Sequence, residues 1–229
     1  MIHMSTLFIV ATPIGNLQDI TYRAVKTLNE VDIIACEDTR VTQKLLSHYD
    51  IHKRLIATHA HNENASAKGI IELLKAGSTI AFVSDAGTPG VSDPGSLLVE
   101  QVRAAGFSVV PIPGVSAAIT TVSVAGVAGK SFTFEGFLPV KSGKRDARLR
   151  ELLGRSEAFI LYESPYRLLK VLTALAAFEP DRKVMVAREI TKIHEEFVSA
   201  KALQVLEEFS SRQSIKGECV LLVYPEGIE

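Results

Sequence analysis

The stretch SDAGTPGVSDPG, Ser84 to Gly95, decides the fold of this 229-residue chain, and it follows a short apolar run that begins at Thr79. Its residues include three glycines, two prolines and two aspartates. A plain connection between a strand and a helix is usually shorter, so the composition favours a ligand-binding loop. Gly87 and Gly90 let the main chain approach a ligand closely, and Asp85 offers a carboxylate to a ligand hydroxyl or ammonium group.

Around this loop, short apolar runs alternate with segments of helical period through the first half of the chain. The predicted strands are Leu7–Ala11, Val31–Cys36, Arg54–Thr58, Thr79–Ser84 and Phe107–Val110. The predicted helices begin at the caps Asp19, Thr39 and Asp93 (the last followed by Pro94) and run over Asn64–Lys75 and Val115–Val124. The alternation predicts a parallel sheet covered on both faces, whose ligands bind beyond the carboxyl ends of the strands.

The second half of the chain changes character and predicts a mixed sheet. The predicted strands are Phe132–Phe137, Phe159–Tyr162, Lys183–Arg188, Glu195–Ser199 and Cys219–Tyr224, and the predicted helices are Pro165–Phe178 and Ala200–Phe209. The run KSGKRDARLR, 141–150, indicates a basic linker. We therefore predict an α/β protein of two domains, 1–115 with a parallel sheet and 116–229 with a mixed sheet.

Composition excludes several classes of protein. Hydrophobic residues make up 47% of the chain, and 25 Lys and Arg balance 26 Asp and Glu, which argues against disorder and against a basic nucleic-acid binder along the whole chain. The uncharged stretch Ala104–Gly129 is long enough to cross a membrane, but its prolines and glycines favour a strand, a turn and a helix. Two cysteines and an N-terminus without a signal peptide predict a cytoplasmic protein with no membrane contact.

Two glycine-containing loops fail as nucleotide sites. TPIGNLQDIT, after the first strand, has Gly15 alone where a dinucleotide fold needs G-x-G-x-x-G, which argues against a nicotinamide or flavin enzyme. GVAGKS, 126–131, has two residues between its glycines where a phosphate loop needs four, so it is rejected as an ATP site.

Two further loops carry polar side chains to the same edge of the predicted sheet. CEDTR supplies Glu37, Asp38 and Arg40, which either bind a polar substrate or pair with one another. THAHNEN supplies His59, His61 and Glu63. One H-x-H is weak evidence for a metal without a third ligand at a known spacing, so we predict no metal there and favour a substrate contact or a helix cap.

For two segments, the sequence is compatible with a structural role and with a functional role. In PIPGVSA, Ser116 either caps a helix or donates to a ligand. Residues 141–155 hold six Lys and Arg against Asp146 and Glu151, a local charge of +4. That segment is either a solvated helix face or a surface that follows phosphates.

Taken together, the motifs resemble one family over about Leu7 to Leu222. They are TPIGNLQDIT, ACEDTR, HNE, VSDAGTPGVSDPG, PIPG, FEGFLP, YESPYR, ARE-TK and KGE, in that order. The sequence is similar to the small-subunit ribosomal RNA 2′-O-ribose methyltransferase I family of the tetrapyrrole methylase superfamily. The long SDAGTP…SDPG string and ACEDTR carry the resemblance, whereas PIPG or KGE alone would be weak.

The resemblance implies two α/β domains with S-adenosylmethionine in the cleft between them, a homodimer, and methylation of a cytidine in 16S ribosomal RNA, free or in the 30S subunit. The implied cofactor contacts are Ala11, Thr12, Pro13, Asp85, Gly87, Thr88, Ser116, Ala117, Tyr162, Ala187 and Gly217. The candidate RNA contacts are Arg40, Asn62, Lys144, Arg145, Arg148, Arg188 and Lys192. Members of the family often continue past the last strand with a helical tail and have a histidine at the position of Tyr166.

The implied reaction is an in-line displacement in which a ribose 2′-oxygen attacks the methyl carbon of the sulfonium. A proton acceptor would help, because the 2′-hydroxyl is a weak acid, and Glu37, Asp38, His61 and Glu63 all remain candidates. The alternatives are a tetrapyrrole C-methyltransferase, against which the ACEDTR and HNE loops argue, a non-catalytic RNA-binding module, and the nicotinamide enzyme already disfavoured.

Overall fold

The computed structural model describes residues 5–58, 63–126 and 131–228. The chain divides between Ser116 and Ala117 into two compact units, called unit 1 and unit 2 below. That 1–115 and 116–229 are two separate domains, as the sequence predicts, stays a prediction.

Unit 1 contains a sheet of five parallel strands in the order β3-β2-β4-β1-β5. The strands are β1 (Thr6–Val10), β2 (Ile33–Cys36), β3 (Arg54–Ala57), β4 (Ile80–Val83) and β5 (Ser108–Ile112). The helices are α1 (Tyr22–Glu30), α2 (Thr39–His48), α3 (Glu63–Lys75) and α4 (Ser96–Ala104). Strands β2 and β4 are buried along their whole length. Apolar clusters cover both faces of the sheet, which confirms the predicted parallel architecture.

Three predicted helix starts in unit 1 are wrong, each for a local reason. Asp19 lies in a short 3-10 helix, and α1 is capped by Thr21, whose hydroxyl accepts from the Ala24 N–H at 3.1 Å. Helix α2 is capped by Asp38, one residue before the predicted cap.

Helix α4 begins at Ser96, two residues after the proline predicted to open it. Ser92 has a φ of +64° and Gly95 a φ of +129°. The chain therefore cannot enter a right-handed helix until it has passed Gly95.

Unit 2 begins with helix α5 (Ala117–Ala125) and contains a mixed sheet in the order β6-β7-β10-β8-β9. Strands β6 and β7 are parallel, and the other pairs are antiparallel. The strands are β6 (Phe132–Phe137), β7 (Ala158–Glu163), β8 (Lys183–Arg188), β9 (Glu196–Lys201) and β10 (Cys219–Val223). The remaining helices are α6 (Ser142–Leu153), α7 (Pro165–Phe178) and α8 (Ala202–Ser210). The predicted mixed sheet is confirmed.

The interpretation of 141–150 as a linker is wrong, because the segment forms most of α6. Leu149, Leu152 and Leu153 are buried in the core of unit 2. Their three- and four-residue spacing places them on one helix face. Lys144 and Arg150 are exposed, whereas the Arg145 side chain, four residues before Leu149, is only 12% exposed. Within the described ranges, no helix is long and apolar enough to cross a membrane.

Candidate active site

The loops that follow β1 and β4 are joined by main-chain hydrogen bonds. The Thr12 N–H donates to the Gly87 carbonyl at 2.8 Å, and the Gly87 N–H donates to the Thr12 carbonyl at 3.0 Å. The buried Thr12 hydroxyl also donates to the Ser84 carbonyl at 3.2 Å. The strand-end loop predicted to bind a ligand is thus fixed against the end of β1.

The loop that follows β5 joins the same cluster. The Thr88 hydroxyl donates to the Val115 carbonyl at 3.0 Å. Gly114 approaches the end of β1 so closely that a Cβ at this position would lie 2.8 Å from the Ala11 Cβ. Only glycine permits that approach without a shift of the main chain.

The structure therefore brings together the residues of unit 1 that the family resemblance implies as cofactor contacts. They are Ala11, Thr12, Pro13, Asp85, Gly87, Thr88 and Ser116. Gly87 has a φ of +80°, a left-handed conformation that side-chain-bearing residues seldom adopt. The cluster presents main-chain groups and the exposed Asp85 carboxylate, a donor and acceptor set that suits a ligand with hydroxyl and ammonium groups.

The loop after β2 is attached to this cluster through Asp38. Its N–H donates to Asp85 Oδ1 at 3.0 Å. The Asp38 carboxylate caps α2 by accepting from the Arg40 N–H at 2.8 Å and pairs with the Arg40 guanidinium at 2.7 Å. These hydrogen bonds from Arg40 lower the pKa of Asp38 to about 2. A carboxylate so occupied and so acidic is a poor proton acceptor.

Glu37 differs from Asp38 both in the direction of its pKa shift and in the hydrogen bonds to its carboxylate. Burial, followed by the nearby carboxylates of Asp85, Asp93 and Asp38, raises the pKa of Glu37 above its usual value of 4.5. Within the described part of the chain no hydrogen bond to its carboxylate is present. Of these two neighbouring candidates, Glu37 therefore has the electrostatic surroundings expected of a proton acceptor.

The remaining polar residues of this edge are only partly described. Glu63 is the first residue of α3 and is half-buried. His59, His61 and Asn62 lie outside the described residues. In ranges 5–58, 63–126 and 131–228 no group of three or more His, Cys, Asp or Glu is arranged to hold a metal ion.

In unit 2, two of the predicted cofactor residues are close together. Tyr162 lies near the end of β7, and its hydroxyl oxygen accepts a hydrogen bond from the Ala118 N–H at 3.2 Å. Ala117, the first residue of α5, precedes that donor. Ala187 is buried in β8, opposite Val220 of β10.

Gly217 precedes β10 and is enclosed by an ion-pair network. Lys192 Nζ lies 2.9 Å from both Glu189 Oε1 and Glu218 Oε2, and the Glu218 N–H donates to Glu189 Oε1 at 3.0 Å. A Cβ on Gly217 would overlap the Glu189 side chain. Glu189 and Thr191 have positive φ angles of 52° and 68°, so side-chain bonds hold this loop in a strained conformation.

Arg188 is held by a second network at the same end of β8. Its guanidinium pairs with Glu196 and donates to the Lys216 carbonyl at 2.8 Å. Arg212 pairs with the same Glu196 carboxylate at 2.6 Å. Both predicted phosphate-binding residues of this loop, Arg188 and Lys192, are therefore engaged in bonds within the protein.

The basic residues of α6 are also largely neutralised. Arg145 pairs with Asp146 at 2.8 Å, and Arg148 pairs with Glu135 at 2.6 Å. Lys144 is exposed, and within the described residues it has no ion pair. Of the three predicted RNA contacts on this helix, only Lys144 presents an unpaired charge.

Sequence reasoning missed a buried ion pair at the end of β7. The Glu163 side chain is 1% exposed and pairs with Arg167 at 3.2 Å. Burial raises the pKa of Glu163, and the Ser164 N–H and Arg167 act in the opposite direction. The available signal was the spacing in YESPYR, since Glu and Arg four residues apart at a helix start face each other.

Comparison with known proteins places this arrangement in a family. The family model that describes tetrapyrrole (corrin/porphyrin) methylases matches residues 6–205. The chain belongs to the tetrapyrrole methylase family and is a methyltransferase, as the motif resemblance predicted.

Relatives with curated names narrow the group. A Borrelia garinii protein named ribosomal RNA small subunit methyltransferase I is 51% identical, over 95% of this chain and 97% of its own length. A Bacillus subtilis protein of the same name is 44% identical, over 96% of this chain and 75% of its own length. Within the family, the chain therefore belongs with the proteins named ribosomal RNA small subunit methyltransferase I.

Solved structures confirm the fold. A diphthine synthase superposes with a TM-score of 0.78 at 16% identity and covers 98% of this chain and 92% of its own. A uroporphyrin-III C-methyltransferase from Thermus thermophilus, complexed with S-adenyl homocysteine, has a TM-score of 0.68 at 15% identity and covers 96% of this chain and 97% of its own. At these identities the likeness concerns the fold alone.

Proposed function

We propose that the protein transfers a methyl group from S-adenosylmethionine to the 2′-oxygen of a cytidine ribose in small-subunit (16S) ribosomal RNA. One observation carries the proposal. The loops after β1, β4 and β5 are fixed together into a glycine-rich cluster in a chain 51% identical to a protein named ribosomal RNA small subunit methyltransferase I.

S-adenosylmethionine, when bound, supplies a methyl group on a sulfonium that is a good leaving group. In unit 1 the Thr12–Gly87 and Thr88–Val115 bonds hold the main-chain groups that would line its site. Asp85 has an exposed carboxylate for a hydroxyl or ammonium group of the ligand. In unit 2 we propose that Ala117, Tyr162, Ala187 and Gly217 complete the contacts.

Glu37 is the proposed proton acceptor for the ribose 2′-hydroxyl. The Glu37 carboxylate would take the proton of the 2′-hydroxyl as the 2′-oxygen receives the methyl group, and the broken carbon–sulfur bond would leave S-adenosylhomocysteine as the second product. The raised pKa of Glu37 makes its carboxylate a stronger base than that of Asp38, whose lone pairs are occupied by Arg40. Correct alignment of the hydroxyl contributes the other large part of the rate acceleration.

The proposed substrate is the 16S RNA, free or in the 30S subunit, and the proposed setting is a cytoplasmic homodimer. A tetrapyrrole C-methyltransferase is not favoured. The curated relatives carry a ribosomal RNA name at 44–51% identity, whereas the uroporphyrin enzyme shares the fold at 15% identity.

The test uses purified protein, S-adenosylmethionine with an isotopically labelled methyl group, and either 30S subunits or free 16S RNA. Nucleoside mass spectrometry should detect labelled 2′-O-methylcytidine. Uroporphyrinogen in place of RNA should receive no label, and label there would favour the C-methyltransferase.

A thermal shift separates an enzyme from a simple RNA-binding module. S-adenosylhomocysteine at 100 times its dissociation constant should stabilise the protein by about 2.7 kcal/mol. If no shift and no labelled nucleoside are found, the proposed function is wrong.

A further inference from the structure

Unit 2 exposes three large side chains at one end of its sheet, in a group here called the β6–β7 face. Val140 is 80% exposed, Tyr166 is 88% exposed and Phe137 is 56% exposed. Side chains of this kind are usually found inside the protein or at an interface. Their exposure therefore needs an explanation.

The chain topology brings these residues to the same end of the sheet. Phe137 is the last residue of β6, lies opposite Tyr162 of the parallel strand β7 and contacts its ring edge-on at 6.0 Å. Tyr166 lies in the first turn of α7, four residues after Tyr162. The neighbouring Arg167 donates to the Leu138 carbonyl at 2.7 Å, which ties the first turn of α7 to the segment that leads to Val140.

Bonds from the Arg167 side chain fix the main chain of the β6–β7 face. Arg167 also pairs with the buried Glu163 carboxylate at 3.2 Å. The guanidinium thus joins the end of β7, the start of α7 and the segment after β6. Because these bonds fix the main chain, the exposed rings project from an ordered surface, which lowers the entropy cost of binding a partner.

The charges around the face leave a positive excess. Arg145, Arg148 and Arg167 each pair with a carboxylate. Lys141 and Lys144 are exposed, and in the described part of the chain neither forms an ion pair. Two unpaired ammonium groups therefore belong to the segment that directly follows Val140 and opens α6.

We propose that the β6–β7 face binds a single-stranded segment of the RNA substrate, with an unpaired base stacked on Tyr166 and phosphates on Lys141 and Lys144. This inference rests on the proposed function and adds a site to it. Aromatic rings beside cations are the usual means of binding single-stranded nucleic acid, because every base has a face that can stack. A second copy of the chain fits less well, because a twofold interface through this face brings like charges together.

The first test compares Tyr166→Ala with Tyr166→Phe in the full-length protein. Stacking requires the ring and not the hydroxyl, so Tyr166→Ala should weaken binding of 16S RNA by about 5-fold to 100-fold, whereas Tyr166→Phe should stay within about twofold. Tyr22→Ala is the matched control, since Tyr22 is 98% exposed and lies in unit 1. It should leave RNA affinity unchanged.

The second test concerns the phosphates. Replacing both lysines, as Lys141→Gln with Lys144→Gln, should reduce the slope of log affinity against log salt concentration by about 1.4 to 1.8. The thermal shift produced by S-adenosylhomocysteine should be the same in all variants, which shows that they fold and keep the cofactor site.

The outcomes separate this surface from the function on which it rests. If the unaltered protein methylates RNA and Tyr166→Ala binds RNA equally well, the surface assignment is overturned and the proposed function stands. If Tyr166→Ala changes the sedimentation coefficient but not RNA affinity, the face is an interface between protein copies. If the unaltered protein neither binds nor methylates RNA, both proposals are overturned.

Discussion

The strand-end loops of the two units are fixed in different ways. In unit 1, the bonds Thr12–Gly87 and Thr88–Val115 use main-chain atoms or a short hydroxyl. In unit 2, Glu189, Lys192 and Glu218 fix the corresponding loops through charged side chains. In the loop after β2, Asp38 bonds to Asp85 and Arg40, and the neighbouring Glu37 carboxylate remains available for chemistry. The charged groups of unit 2 serve to hold the main chain.

This difference predicts how each region responds to substitution. Where main-chain bonds hold a loop, replacing a charged side chain should leave the free energy of unfolding nearly unchanged, although it can still lower the catalytic rate. A loop held by ion pairs should lose stability when a charge or the space around it is altered.

Glu37→Gln should have the largest effect, and it should fall on the rate. Loss of a proton acceptor typically slows a reaction by about 100-fold or more, so methyl transfer to 16S RNA should slow by at least that factor. The unfolding midpoint in urea should stay near that of the unaltered protein, because Glu37 holds no other described residue. Glu63→Gln is the matched control and should remain within about threefold in rate.

The pH dependence gives an independent measurement of the same group. Glu37 must be deprotonated to accept a proton, and its pKa is raised by burial and by neighbouring carboxylates. The rate should therefore fall as the pH drops through a value above the usual glutamate value of 4.5. If the rate of Glu37→Gln falls at low pH in the same way as that of the unaltered protein, the titrating group is not Glu37.

Gly217→Ala should destabilise the protein by at least about 2 kcal/mol. The left-handed φ of +89° alone costs about 1 to 2 kcal/mol for alanine, and the added Cβ displaces Glu189 from Lys192. Gly77→Ala is the matched control, because Gly77 has a φ of +95° with nothing within 4 Å of its added Cβ.

The difference between the two glycine variants, measured by urea unfolding, isolates the contribution of the Glu189 network. In the background Glu189→Ala this difference should shrink, since the overlapping side chain is then absent. Equal costs at Gly217 and Gly77 would mean that the ion pairs do not hold the loop.

Glu196→Gln should destabilise the protein by about 1 to 2 kcal/mol at neutral pH, because it leaves two guanidiniums without a shared carboxylate. Burial alone would raise the pKa of Glu196, but hydrogen bonds from Arg212 and Arg188 outweigh it and lower the pKa. The carboxylate therefore contributes stability above its unfolded pKa and loses it as the pH falls through the lowered value. The gap between the two proteins should close on acidification, and a constant gap would contradict this account.

Lys26→Ala should have the smallest effect, under about 0.5 kcal/mol. Its pair with Glu30 is 3.8 Å long, and the two side chains are 72% and 64% exposed, so solvent and salt screen the attraction. A larger loss in thermal unfolding would show that surface pairs in unit 1 matter as much as the networks of unit 2.

Much of the fold could be predicted from local patterns in the sequence. Apolar runs and helical periods located most strands and helices, and the PIPG and SDAGTPG strings located the loops that meet at the end of β1. Helix starts were less predictable, because they depend on main-chain conformation. The positive φ of Ser92 and Gly95 delays α4 beyond Asp93 and Pro94, and no composition rule reports that.

The candidate site could be located but not resolved from the sequence. The string CEDTR placed Glu37 and Asp38 at a strand end, yet their opposite pKa shifts depend on which one Arg40 contacts. The excess charge of 141–155 suggested a phosphate surface, but Arg148 pairs with Glu135 on β6 as well as with Glu151 of its own helix. Glu135 lies outside the segment that the charge pattern covers, whereas Arg40 lies inside CEDTR, which does not indicate the carboxylate that it contacts.

The reciprocal hydrogen bonds between Thr12 and Gly87 mean that the loops of the site become ordered before a ligand binds. Both amides are already protected before any small molecule arrives, so they should exchange with deuterated solvent slowly and together, through one shared opening. The chain therefore loses the freedom of these loops when it folds rather than when it binds. Capture of a ligand there should resemble entry into a preformed pocket, with little added immobilisation of the main chain.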